Sequence, residues 1–146
     1  MPLLYEPDMT KFADEIQVNE VNLDECALNQ ASLLAYYLNQ KALAERQVKT
    51  AQLNLNMYYF TRKREVEAEL TVKEKRVTEG SIDSIVKTEE EYIKRYWTVV
   101  ESERIRDQLQ ACCSALHDRK KTIQQLLDAR LIQAGGSVTL NSRKSF

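Results

Sequence analysis

After Pro7 the chain carries neither glycine nor proline until Gly80, and after Gly80 none until Gly135. These two gaps constrain the fold more than any other feature, because β-rich chains need Gly- and Pro-bearing turns far more often. Hydrophobic spacing inside them is helical. In the first gap Ala27, Ala31, Leu34, Leu38, Ala44, Val48, Ala51, Leu55 and Tyr58 recur mostly at steps of three and four, interrupted by Lys41. Alanine is frequent in that seam, so a partner helix can approach closely. In the second gap Ile93, Trp97 and Val100 open a stripe that Ile105, Leu109, Cys112, Leu116, Ile123, Leu126 and Leu127 continue and Leu131 extends.

Local signals set the expected ends. Asn22 stands three residues before Glu25, the spacing of a capping box. Thr78 reads as the N-cap of a short amphipathic helix carrying Ser81, Ile82, Ile85 and Val86. Thr88 reads as a second N-cap, with Glu89, Glu90 and Glu91 facing the positive end of the helix dipole. Val66, Ala68, Leu70 and Val72 alternate with polar residues as a strand would, but Glu, Ala and Leu favour helix and a lone strand has no partner. The spacing is therefore assigned to a helix that frays between Leu70 and Arg76. Gly135 and Gly136 are expected to stop the last helix, with Arg130 at its negative end.

The predicted fold is all-α: two long helices joined by a connector with a short helix. Two helices alone bury little, so oligomerisation is expected to complete the core. Three stretches follow: an acidic arm over residues 1–21 with a short helix near 9–17, a helical oligomerisation domain over 22–134, and a flexible basic tail over 135–146 bearing Arg143 and Lys144.

The net charge is −1, yet the charge is sorted along the chain. Residues 1–25 hold seven acids against Lys11, whereas residues 41–64 hold six bases against Glu45. Such blocks mark candidate interaction faces. Catalytic signatures are missing: there is one histidine, no nucleophile elbow and no phosphate-cradling glycine loop. Cys113 and His117 are spaced as half a metal site with no second pair to complete it. No enzyme activity, cofactor or metal is expected. Cys26, Cys112 and Cys113 form no disulfide framework, no signal peptide is visible, and no apolar run approaches the ~20 residues that span a bilayer. A cytoplasmic, non-membrane setting is expected.

The densest chemistry lies in residues 54–64, NLNMYYFTRKR. Aromatic rings beside Arg62, Lys63 and Arg64 suit a single nucleic-acid strand, whose bases stack while its phosphates are neutralised. Adjacent Tyr58, Tyr59 and Phe60 point about 100° apart on a helix, so at least one reaches a surface or an interface. Lys73, Lys75 and Arg76 form a second cationic patch, and Arg119, Lys120 and Lys121 a third. Each patch also reads as ordinary solvated surface.

Taken together, LLAYYLNQKALAE (residues 33–45), YYFTRKR (58–64), YW (96–97), CSALHDRKKTIQQL (113–126) and the R-x-x-x-A-G at 130–135 resemble the phage recombination mediator family typified by UvsY. The resemblance covers roughly residues 24–136. It implies a small helical protein that forms a ring-like homo-oligomer in the host cytoplasm, binds single-stranded DNA, and helps a recombinase displace a single-strand-binding protein. The family's basic residues just before the paired tyrosines are replaced here by Asn54 and Asn56. On this basis Lys49, Tyr58, Tyr59, Arg62, Lys63, Arg64, Lys73, Lys75 and Arg76 are the expected DNA-binding residues. A helical scaffold or adaptor with no nucleic-acid role, and a regulator acting through the acidic arm, are the alternatives.

Overall fold

A computed structural model describes residues 4–73 and 75–143, with side chains described as far as Gly135. The expectation of a tail bearing Arg143 and Lys144 therefore falls outside the described side chains. The fold is all-α, in the order α1 (Phe12–Glu15), α2 (Leu23–Val72), α3 (Glu79–Lys87) and α4 (Glu90–Arg143). Two compact units divide the chain: Met1–Glu6 with Lys41–Gln108, and Pro7–Gln40 with Leu109–Phe146.

In the first unit the later part of α2 packs on α3 and on the start of α4. Ala44, Val48 and Ala51 of α2 are buried where the sequence places them, as is Ile105 of α4. Val66 joins Ile82 and Val86 of α3 in an apolar cluster flanked by Tyr58, Tyr59, Leu70, Val77 and Tyr92. Burying each such aliphatic side chain contributes roughly 1.5–3 kcal/mol. The strand-like alternation around Val66 belongs to α2: Val66 is buried and Val72 is 84% exposed, a helical rather than a two-sided pattern. Lys75 N–H donates to the Leu70 carbonyl across the helix end.

The capping box at Thr78 is present, with Thr78 accepting from Ser81 N–H and Ser81 Oγ accepting from Thr78 N–H, both at 3.2 Å. Thr88 departs from its expected role. It is the C-cap of α3, and its hydroxyl donates back to the carbonyls of Ser84 and Ile85. Ile93 and Trp97 also depart from the predicted stripe: both are exposed, and the seam of α4 begins at Val99 and Ser102. Buried Ser102 needs no outside partner, because its hydroxyl donates to the Thr98 carbonyl at 2.7 Å.

In the second unit the start of α2 packs on α4 beyond Leu109. The buried positions on α2 are Leu23, Cys26, Gln30 and Tyr37. Cys26, Gln30 and Tyr37 sit one residue before the predicted Ala27, Ala31 and Leu38, all three of which are exposed. Asn22 forms no capping box with Glu25; its side chain turns back to accept from Asn19 N–H and to donate to the Gln17 carbonyl. Facing residues on α4 are Leu109, Cys112, Cys113, Leu116, Arg119 and Ile123. All three cysteines are buried, and burial pushes the Cys112 thiol up. Helix α4 does not stop at Gly135 and Gly136 but runs to Arg143. Gly135 is not in the left-handed conformation that a glycine C-cap adopts, and glycine inside a helix costs only about 1 kcal/mol relative to alanine.

Candidate nucleic-acid interface

The nine predicted DNA-binding residues all lie in the first unit, but they separate into two sets. Tyr58, Tyr59, Arg62 and Lys63 leave the inner side of α2 and reach acids of α3 and of the α3–α4 junction. The Arg62 guanidinium clamps Glu89, with Nε 3.0 and 3.1 Å from the two carboxylate oxygens and Nη2 at 3.0 Å. Its Nη1 donates to Glu65 at 2.6 Å. The Tyr58 hydroxyl donates to the same Glu89 carboxylate at 2.6 Å, and Arg95 lies over the Tyr58 ring, 5.0 Å from its centroid. Tyr59 donates to Asp83, which Lys87 also approaches at 3.5 Å, and Lys63 pairs with Glu79 at 3.1 Å.

These contacts change the electrostatics of the tyrosines and of their partners. Burial, followed by the bond to Glu89, pushes the Tyr58 phenol up to about 12. The bond to Asp83 raises the Tyr59 phenol, and the same bond holds the Asp83 carboxyl below its ordinary value. Arg62 and then Tyr58 hold the Glu89 carboxyl below its ordinary 4.5. Between the folded and unfolded values the native state binds fewer protons than the unfolded chain. The Glu89 contribution to stability is thus full above about pH 4.5 and is lost as pH falls through the lowered folded value. Replacing Glu89 by glutamine should cost about 2 kcal/mol in urea unfolding at pH 7, since charge-assisted bonds are each worth roughly 1.5–3 kcal/mol. The cost should shrink below pH 4; an equal loss at pH 7 and pH 3.5 would rule the clamp out.

The second set is open to solvent. Lys49, Arg64, Lys73, Lys75 and Arg76 are exposed, and none has an acidic partner among the described residues. Lys73, Lys75 and Arg76 cluster where α2 gives way to the connector. Of the third predicted patch, in the second unit, Lys120 and Lys121 are exposed but Arg119 is only 4% exposed, bonded to Gln30 and Asn29.

Several contributors have no mark in local sequence. Glu79, Asp83 and Lys87 are spaced i, i+4, i+8 and form a ladder along one side of α3, opposite the paired tyrosines. That spacing was the available signal. Phe60 is 58% exposed and borders an open cleft of about 270 Å³ lined by Leu55, Asn56, Tyr59, Phe60, Lys87 and Tyr92. Among the described residues no group of three or more His, Cys, Asp or Glu could hold a metal ion, and no helix is long and apolar enough to cross a membrane.

No protein-family model matches the chain, and no curated protein matches it in sequence. A solved structure does: that of the bacteriophage T4 recombination mediator protein UvsY aligns with a TM-score of 0.71 at 12% identity. The alignment covers 84% of this chain and 93% of that one. Identity that low speaks to the path of the backbone alone. In fold, this chain is similar to a phage recombination mediator.

Proposed function

We propose that this chain is a non-enzymatic, single-stranded-DNA-binding accessory protein of recombination, which acts as a homo-oligomer and assists the loading of a recombinase where a single-strand-binding protein is bound. The observation that carries this reading is the set of five exposed cations in the first unit that have no acidic partner among the described residues: Lys49, Arg64, Lys73, Lys75 and Arg76. A cation held by a carboxylate meets a phosphate with part of its charge already offset, whereas these five present theirs in full. Tyr58, Tyr59, Arg62 and Lys63 brace α3 against α2 and present the cationic connector. Repetition of weak patches around a ring of subunits raises affinity without any new contact.

The test is a titration of a labelled oligonucleotide at several salt concentrations. Each neutralised phosphate contributes about 0.7 to the slope of log affinity against log salt for a single strand. Joint replacement of Arg64, Lys73, Lys75 and Arg76 by alanine should weaken binding and flatten that slope by up to about 2.8, four times the single-phosphate contribution. Unchanged affinity and slope would remove these residues from the interface.

A second reading draws on exposed apolar side chains. Leu53, Met57 and Trp97 are 58, 60 and 57% exposed, which suits an assembly or adaptor surface. That reading requires oligomerisation without salt-sensitive oligonucleotide binding, so native mass and the same titration separate the two.

A further inference from the structure

We infer that the cleft bordered by Phe60, Asn56, Tyr92 and Lys87 takes one unstacked nucleobase of a bound single strand. The inference rests on the reading of the chain as a single-strand binder and assigns the base-holding part of its surface. Three aromatic rings surround the cleft. Tyr59 meets Phe60 edge to face at 5.3 Å and Tyr92 at 6.4 Å, so the rings are fixed in mutual contact. Tyr59 is half-buried and further anchored through Asp83, which makes it a wall. Phe60 is different, because 58% of it faces solvent and its hydrocarbon ring has no polar tip to account for that exposure. An exposed aromatic face beside an open cleft is a platform on which any base can stack.

The polar groups at the cleft favour a base over an apolar side chain. Asn56 is exposed, and its amide has no hydrogen-bond partner among the described residues. It offers a donor and an acceptor together, the pair that a base edge complements. A leucine or phenylalanine from a second copy would instead strip water from that amide and from the Lys87 ammonium with nothing in return. The surroundings are cationic as well. Residues 49, 56, 60 and 63 fall within about 60° of one another around α2, at 100° per residue. Lys49 and Lys63 thus lie roughly 10 Å to either side of Asn56 along the helix, at 1.5 Å per residue. Lys63 and Lys87 each keep donors beyond those used on Glu79 and Asp83, since an ammonium carries three. Base in the cleft and phosphates on the flanking lysines make one continuous track. The paired tyrosines, whose hydroxyls are committed to Glu89 and Asp83, support that track without stacking on the strand.

The experiment compares two oligonucleotides of equal length, one of thymidines and one of abasic sites, titrated against the unmodified chain and its variants. The unmodified protein should prefer the base-bearing strand. Phe60→Ala should lower affinity for that strand about tenfold, within the range for loss of one base–aromatic stack, and leave the abasic strand unaffected. Phe60→Tyr should restore the preference. Equal binding by Phe60→Ala and the unmodified protein would overturn the inference and leave the single-strand reading standing, as would an equal loss on both strands. A change in native mass with unchanged affinity per protomer would assign the cleft to contact between copies and overturn it too. Failure of the unmodified protein to bind either strand would instead remove the single-strand reading, and the cleft assignment with it.

Discussion

Replacing Tyr37 with alanine is expected to cost about 3–5 kcal/mol, the range for deleting a buried aromatic ring. Tyr37 is 1% exposed in the second unit, where it meets Phe12 of α1 and Tyr36 of α2 edge to face, each at 5.2 Å. Phe12 lies in a helix of four residues that lacks a side-chain cap, so α1 depends on contacts such as this one to stay formed. Loss of the ring should free α1 as well as open a cavity. Urea unfolding should show the fall in midpoint, and amide exchange over residues 12–16 should rise. Tyr37→Phe keeps the ring and removes only the hydroxyl, so it should cost no more than about 1 kcal/mol. If both variants lose the same amount, the hydroxyl and not the ring is what matters. Burial, ahead of the nearby Glu15 charge, pushes the Tyr37 phenol from its ordinary 10.0 to about 12. The folded state then holds its proton more tightly than the unfolded chain, so its contribution is full below about pH 10 and is lost as pH rises towards 12.

Arg119 gives the second large effect, and one with a change of sign. Among the described residues its buried guanidinium has neutral partners only: it donates to the Gln30 side-chain oxygen and, at 3.2 Å, to Asn29 Oδ1, while its Nε has no partner. Gln30 in turn donates to the Leu116 carbonyl at 2.8 Å. Arg119→Ala leaves a cavity and an unsatisfied buried Gln30, and should destabilise by about 2–4 kcal/mol. The pair Arg119→Met with Gln30→Leu removes the buried charge and its acceptor together. It should match or exceed the unmodified chain, by up to about 1–4 kcal/mol, because a buried ion carries a desolvation penalty that apolar packing does not. Thermal unfolding of the two variants side by side decides the matter. A double variant as unstable as Arg119→Ala would make the guanidinium a necessary strut.

These two residues also explain how far the fold was legible in sequence. Element types and approximate lengths followed from the Gly- and Pro-free gaps, and the seam was correct from Ala44 to Ala51 and from Ile105 to Leu116, though not at its ends, where Ile93 and Leu131 are exposed. It slipped by one residue where polar or amphipathic side chains line the interior. Gln30 and Tyr37 are buried because partners on α4 and α1 satisfy them, and periodicity cannot register a partner more than eighty residues away, as Leu116 is from Gln30. Ser102 escaped notice for a related reason, since its own helix satisfies the hydroxyl. At the candidate interface the aromatic-to-basic junction was visible. Its division into braced and solvent-facing halves was not, because Glu89 and Asp83 lie 31 and 24 residues from the tyrosines they receive.

Trp97 is the chain's one tryptophan, 57% exposed on α4 and 6.4 Å edge to face from Tyr96. An indole already half in water changes its surroundings little when the helix melts, so its emission is a poor gauge of unfolding. The same fluorophore is well placed to respond when another macromolecule settles on that side of α4. The protein thereby carries an intrinsic optical reporter of its own encounters, with no label to attach and no competing indole signal to subtract.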